Sequence, residues 1–312
     1  MSQPVRPYRF DTLGRRNAPI PWYDRCASSY VNMDQFGLTG TWYNPATSGQ
    51  GMVFEFAEDL SGLGEAGFFG GWFTYGDGSL TSVRRWYSLQ GNIAASDFSH
   101  SSPYGAIGIY DTQGGNFDAG PVAHTRQVGA ASIAFVDCAH GALHYQFFQG
   151  GGGLIPLTHL TQSTTCGQNG PNATAGSSSY YSGAWYDPAT SGQGFVMDFA
   201  PAQSALFAGW YTYLPSAAHL DGAAGQRWFT IQSHDFVPGI SALSGLPVFA
   251  STGGFFNSPG GVTTTQVGSV DVSLDSCTAL TLHYTFTAGD NAGLSGTQHL
   301  KRLLPAPNGC GH

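Results

Sequence analysis

Charge is scarce in this 312-residue chain: Asp, Glu, Lys and Arg make up 10% of it, against about 25% in an ordinary globular protein. Lys+Arg 11 against Asp+Glu 19 leaves a net charge of −8. The basic residues cluster only as Arg15-Arg16, Arg84-Arg85 and Lys301-Arg302. Such a field repels a phosphate backbone, so no nucleic-acid partner is expected. Apolar runs are short, and none approaches the roughly 20 residues that span a bilayer. The first thirty residues lack the apolar region of a signal peptide, so the chain reads as soluble, in the manner of a mature form. Helices of ten or more residues are missing. Motifs for small-molecule chemistry are missing too. There is no GxSxG elbow, the glycine run at 150–153 has no following helix to receive a phosphate, and no CxxC or Cys/His cluster offers zinc a site. Neither metal nor cofactor is expected.

What is abundant is glycine, 45 residues, and aromatic side chains at 14%. With so little charge, that mixture points to an all-β protein rich in turns. The length suggests two domains, and the chain is written twice. GTWYNPATSGQG at 40–51 returns as GAWYDPATSGQG at 183–194. GGWFTY at 70–75 returns as AGWYTY at 208–213, and RRWYSLQ at 84–90 as QRWFTIQ at 226–232. GGNFD at 114–118 returns as GGFFN at 253–257, and the block at 128–147 as that at 267–286. The order is kept, which marks a whole-domain duplication.

Within each copy, short segments rich in β-branched and aromatic residues alternate with polar or small ones, separated by Gly, Asn, Asp and Pro turns. About eight strands per copy are expected, as an antiparallel meander closed into a barrel or folded as a sandwich. The expected organisation is an N-terminal arm at 1–38, a first β-domain at 39–166, a polar linker at 167–181 and a second β-domain at 182–312.

Four of the five cysteines sit at repeat-equivalent places, Cys138 with Cys277 and Cys166 with Cys310. Pairing within each copy, Cys138 with Cys166 and Cys277 with Cys310, closes similar loops, each worth roughly 3 kcal/mol. Cys26 with Cys138 and Cys166 with Cys277 also have near-equal separations. The first scheme is preferred because it leaves Cys26, in the unrepeated arm, as the odd residue, free or paired between chains.

The pattern G-x-W-Y-[ND]-P-A-T-x-G-Q-G, then W-[FY]-T-Y, then R-W-[FY]-x-x-Q, a Cys-bearing turn and a trailing Cys resembles a family of uncharacterised secreted bacterial repeat domains. The likeness covers about 40–166 and 183–310. It implies an exported protein of a Gram-negative bacterium, extracellular or at the cell surface, and agrees with the within-copy disulfides. It implies no activity. LTGTWYN at 38–44 is also similar to the opening strand of avidin-like barrels, over seven residues only, too few to imply a shared ligand.

Each candidate site residue has a structural reading beside the functional one. Trp42, Trp72, Trp86, Trp185, Trp210 and Trp228 recur in equivalent pairs, either as a stacking platform for sugar rings or as core. Gln50 and Gln193 in the PATSGQG turns either present amides to a ligand or tie the turns down. Glu55 and Asp198 lie on the strand face opposite Phe54 and Phe56 or Met197 and Phe199. Facing a cavity across from Arg85 or Arg227, they would form an acid/base pocket in each barrel. Facing out, they are solvated charges. His144 and His283 read as ordinary strand histidines. The expected function is a non-enzymatic extracellular tandem β-protein that binds a polymer or carbohydrate surface, or that self-associates through residues 1–38. The alternative is an enzyme or small-ligand carrier with a polar pocket in each barrel.

Overall fold

The computed structural model describes residues 9–10, 16–18, 31–59, 61–76, 83–95, 107–120, 124–161, 166, 178–218 and 220–310. Cys26 and most of the arm and linker lie outside these residues. Within the arm, β1 (Arg9–Phe10) pairs with β2 (Arg16–Ala18). No α-helix occurs among the described residues, and none is long and apolar enough to cross a membrane.

Each copy forms a closed, eight-stranded antiparallel barrel in which consecutive strands are neighbours. The first comprises β3 (Gly40–Tyr43), β4 (Gly51–Ala57), β5 (Glu65–Tyr75), β6 (Arg84–Ala94), β7 (Ile107–Gln113), β8 (His124–Phe135), β9 (His140–Phe147) and β10 (Gly152–His159). The second comprises β11 (Gly183–Tyr186), β12 (Gly194–Ala200), β13 (Ala205–Tyr213), β14 (Gln226–Ser233), β15 (Ala242–Thr252), β16 (Thr263–Ser276), β17 (Ala279–Phe286) and β18 (Ser295–Arg302). Closure is completed by β10 on β3 and by β18 on β11. A closed meander leaves no free sheet edge, which suits long strands carrying so few charges.

The two-residue alternation sorts each strand into an inner and an outer face. On β4, Met52, Phe54 and Phe56 fill the first barrel, and on β12, Phe195, Met197 and Phe199 fill the second. The PAT turn between the first two strands of each copy is a short 3-10 turn. Its capping side chain, Asn44 or Asp187, accepts the amide of Ala46 or Ala189. Residues 31–38, assigned to the arm from sequence, belong to the first barrel, where Met33 and Leu38 are core and Val31 N–H bonds the Phe135 carbonyl.

Both within-copy disulfides are present, Cys138–Cys166 and Cys277–Cys310, each with Cα atoms 5.8 Å apart. In each barrel the bridge ties the turn before the penultimate strand to the segment that follows the last one.

Candidate functional site

Outer faces carry the surprise of the architecture, because the outer face of each motif hairpin is covered by the other barrel. Val53, Phe73, Tyr75 and Trp86 of the first copy pack against Ala184, Val196, Tyr211, Tyr213 and Trp228 of the second in one buried cluster. Contacts across this junction come in pairs related by an approximate twofold, as the isologous contact of two like subunits does.

Glu55 and Asp198 lie at its centre, both fully buried. Glu55 Oε2 accepts the Ala184 N–H at 2.7 Å, and Asp198 Oδ2 accepts the repeat-equivalent Thr41 N–H at 2.8 Å. Gly40 and Gly183, just before those amides, have φ of +146° and +141°. A Cβ there would stand 2.5 Å from His159 Nε2 or 2.4 Å from Glu55 Oε1, so only glycine admits the carboxylate and its neighbour. Around this shared plan the chemistry diverges. Arg302 pairs with Glu55, bonds the Tyr180 and Ser182 carbonyls and lies over Trp185. The equivalent position on β10 is His159, which stacks on Trp42 with ring centroids 4.2 Å apart and uses Nδ1 on the Cys138 carbonyl. Asp198 then takes its second bond from the Thr161 hydroxyl at 2.9 Å. Burial raises the pKa of both carboxyls, against the pull of Arg302 on Glu55 and of the hydroxyl and amide donors on Asp198. Burial pushes His159 down to about 4, keeping it neutral.

Gln50 and Gln193 hold the next layer. Gln50 Nε2 bonds the Phe255 and Ser258 carbonyls while its Oε1 accepts from the Thr74 hydroxyl and the Asn257 amide. Gln193 does the same with the Asn116 and Ala119 carbonyls, the Thr212 hydroxyl and the Asp118 amide. Each amide group thus has both of its N–H groups and both lone pairs engaged. What each anchors is a loop of the opposite barrel that ends in an aromatic plug. Phe256 of the second copy packs on Trp72, Tyr145 and Phe147 of the first. Phe117 of the first packs on the equivalent Trp210, Tyr284 and Phe286 of the second.

A third layer uses the strand gap beyond the short β6–β7 and β14–β15 pairings, which span only Ser88–Gln90 and Thr230–Ile231 on their first strands. Gln226 enters the β6–β7 gap, giving Nε2 to the Trp86 and Thr112 carbonyls and to Asp111. The equivalent Arg84 bonds the Trp228 carbonyl and pairs with Asp290. Beside them the Trp86 indole N–H donates to the Thr212 carbonyl at 2.9 Å, and Trp228 to Thr74 at 2.8 Å.

Two open clefts flank this junction, one on each side of the approximate twofold. The first, of about 380 Å³, sets Trp86, Ser88 and Gln90 against Tyr186 and Ser191 of the other barrel. The second, of about 560 Å³, sets Trp228, Thr230 and Gln232 against Tyr43 and Ser48. The tyrosines are half-buried. Among the described residues no Asp, Glu, Lys or Arg side chain lines either cleft, and His234 of the second is the single ionisable group beyond tyrosine.

The candidates from sequence therefore separate. Trp42, Trp72, Trp185 and Trp210 fill barrel interiors and Trp86 and Trp228 fill the junction, all at most 4% exposed, so the six form no outward platform. Gln50 and Gln193 are consumed by loop anchoring. The carboxylate–arginine pocket is not assembled: Glu55 faces Arg302, Arg85 faces Asp111, Arg227 faces Asp290, and Asp198 meets no arginine among the described residues. Both the inward and the solvated expectations for Glu55 and Asp198 missed a third surface, the other barrel. His283 is exposed and bonded to Thr297, and His144 is half-buried. Among the described residues no group of three or more His, Cys, Asp or Glu is placed to hold a metal. Sequence reading overlooked Arg302, His159, Phe117, Phe256, Tyr43 and Tyr186, although Phe117, Phe256, Tyr43 and Tyr186 fall in repeated blocks and His159 and Arg302 are separated by the same interval as Gly40 and Gly183.

No family model, curated protein or solved structure matches the chain.

Proposed function

We propose that this chain is a non-enzymatic, extracellular binding protein whose two inter-barrel clefts receive a hydroxyl-rich, uncharged polymer, a glycan. The observation that carries the reading is the pair of equivalent clefts, each with aromatic rings beside hydroxyl and amide groups and, among the described residues, free of carboxylates. Ring faces stack on sugar rings, and neutral hydrogen-bonding groups match hydroxyls without the cost of desolvating a charge. Two such clefts on one interlocked body let a long polymer engage both, raising avidity with no further contact. Catalysis is the weaker reading, because acid/base work needs a titratable pair at the ligand, and the buried carboxylates are already held inside the junction. The disulfides are compatible with an oxidising compartment, and the likeness to secreted repeat domains supports placement outside the cell. Self-association through residues 1–38 remains part of the proposal for the arm, most of which lies outside the described residues.

Affinity electrophoresis through gels containing neutral polysaccharides tests the reading. A retarding polysaccharide is expected to lose roughly tenfold in affinity, a loss typical of removing stacking aromatics, when Tyr43→Ala and Tyr186→Ala are combined. Each single variant is expected to fall between. Retardation by no neutral polysaccharide, or retardation unchanged in the double variant, would sink it.

A further inference from the structure

The chemistry of one groove is not repeated in the second copy. At the mouth of the first barrel, beside the plug residue Phe256, an opening of about 610 Å³ is lined by Arg85, Arg126, Asp111, Tyr87 and Phe148, with the backbone of 150–152 along one wall. The Arg85 side chain is 7% exposed; it contacts Asp111 at 3.4 Å and the Tyr87 hydroxyl at 3.2 Å, both through Nη2. Its Nη1 is buried and has no hydrogen-bond partner. A buried guanidinium nitrogen with its N–H groups unused is costly, and a bound acceptor removes that cost. Arg126 is exposed, sits directly across the ladder from Asp111, and makes no ion pair among the described residues. Two arginines against one carboxylate leave the groove with one positive charge in excess. Half-buried Tyr87 and Phe147 and exposed Phe148 supply apolar surface beside that charge.

The duplication provides an internal control. In the second copy Arg227 stands at the place of Arg85, but its Nε binds Asp290 and its Nη1 binds the Ala224 and Gln226 carbonyls. Ala250 replaces Asp111, and Thr265 replaces Arg126. The fold therefore does not require the arginine pair, because the second barrel closes without it.

We propose that this groove binds the carboxylate of an acidic sugar, so that the first barrel recognises uronate-bearing glycans. The fixed Asp111 charge opposes a dianion such as a phosphate monoester, while the single free Nη1 together with Arg126 suits one planar monoanion. The adjoining aromatic side chains take the sugar ring. This site is separate from the two neutral clefts, with which it shares only Tyr87 at its border.

Isothermal titration of the full chain with an oligouronate, with the same oligomer after reduction of its carboxyls to alcohols, and with a sulfated oligomer tests the assignment. The wild type is expected to prefer the oligouronate to its reduced form by about tenfold, the scale of one charge-assisted hydrogen bond, with a preference that declines as salt is raised. Arg126→Ala, at an exposed position, is expected to abolish the preference without lowering Tm, and Arg126→Glu to reverse it. Equal affinity for the two oligomers, a preference surviving Arg126→Glu, or tighter binding of the sulfated oligomer each overturns the proposal. The double tyrosine variant of the clefts weakens the neutral polymer and leaves the preference for charge, so failure of the clefts and failure of the groove are read separately.

Discussion

The Glu55 and Asp198 junctions are the same construction answered in two ways. Each carboxylate comes from the outer face of the second strand of its barrel and meets a backbone N–H of the other barrel's first strand. At the first, Arg302 supplies an opposite charge; at the second, a hydroxyl and a neutral imidazole occupy the same space. The difference teaches that hydrogen-bond satisfaction, not charge pairing, is what the interlock demands. A buried ion pair is little more stabilising than well-packed neutral partners, but it is far less tolerant of losing one member.

That contrast sets the largest expected effect. Arg302→Met leaves Glu55 buried without its cation and is expected to cost about 3–5 kcal/mol in urea unfolding. Combining it with Glu55→Gln is expected to recover much of the loss. A cost below about 1 kcal/mol, the size seen for exposed pairs, would show that water reaches Glu55 and would erase the contrast.

The second junction is distinguished by its response to pH. His159 has an ordinary value of 6.5 and is pushed down to about 4 by burial, a preference for the neutral ring worth about 3 kcal/mol. Its folded pKa is depressed, so its contribution is complete above pH 6.5 and is lost as the pH falls through that window to about 4. Asp198 and Glu55 act in the opposite sense: their raised pKa values favour the folded state as the pH falls through them. The difference in unfolding free energy between wild type and His159→Gln isolates the imidazole, and it is expected to shrink by about 3 kcal/mol across the window. A difference that stays constant would mean that the ring is solvated.

Smaller and symmetrical effects are expected where the two sides are chemically alike. Trp86→Phe and Trp228→Phe each leave one buried carbonyl, of Thr212 or Thr74, without its donor. Each is expected to cost about 1–3 kcal/mol, and the two costs are expected to agree within about 0.5 kcal/mol by chemical denaturation. Clearly unequal costs would show that the twofold relation is geometric only.

Much of the fold was legible. Alternation on β4 and β12 assigned Phe54, Phe56, Met197 and Phe199 to one face and Glu55 and Asp198 to the other, and repeat-equivalent cysteines led to the observed bridges. The site was less legible because a two-residue period says which face a side chain takes and nothing about what covers that face. Val53 and Val196, apolar residues on the nominal outer faces of those strands, were the available sign that another body lies there. Gln50 and Gln193 looked like ligand groups because turn chemistry alone does not use an amide, and all their partners but one threonine hydroxyl each lie more than seventy residues away, on loops of the other copy. Phe117 and Phe256 were visible as repeat equivalents, but which barrel each would plug depended on the crossing of those loops. In the absence of that packing, GTWYNPATSGQG read as a strand and its turn; it is also the surface by which each barrel grips its twin.

The central claim is that the two barrels fold as one reciprocally interlocked body. Scanning calorimetry of the full chain with its disulfides intact tests it most directly, through the agreement of calorimetric and van't Hoff enthalpies. The account predicts a single transition in which the two enthalpies are equal, displaced as a whole to lower temperature by Arg302→Met. Two separable transitions, with Arg302→Met moving one of them alone, would contradict it.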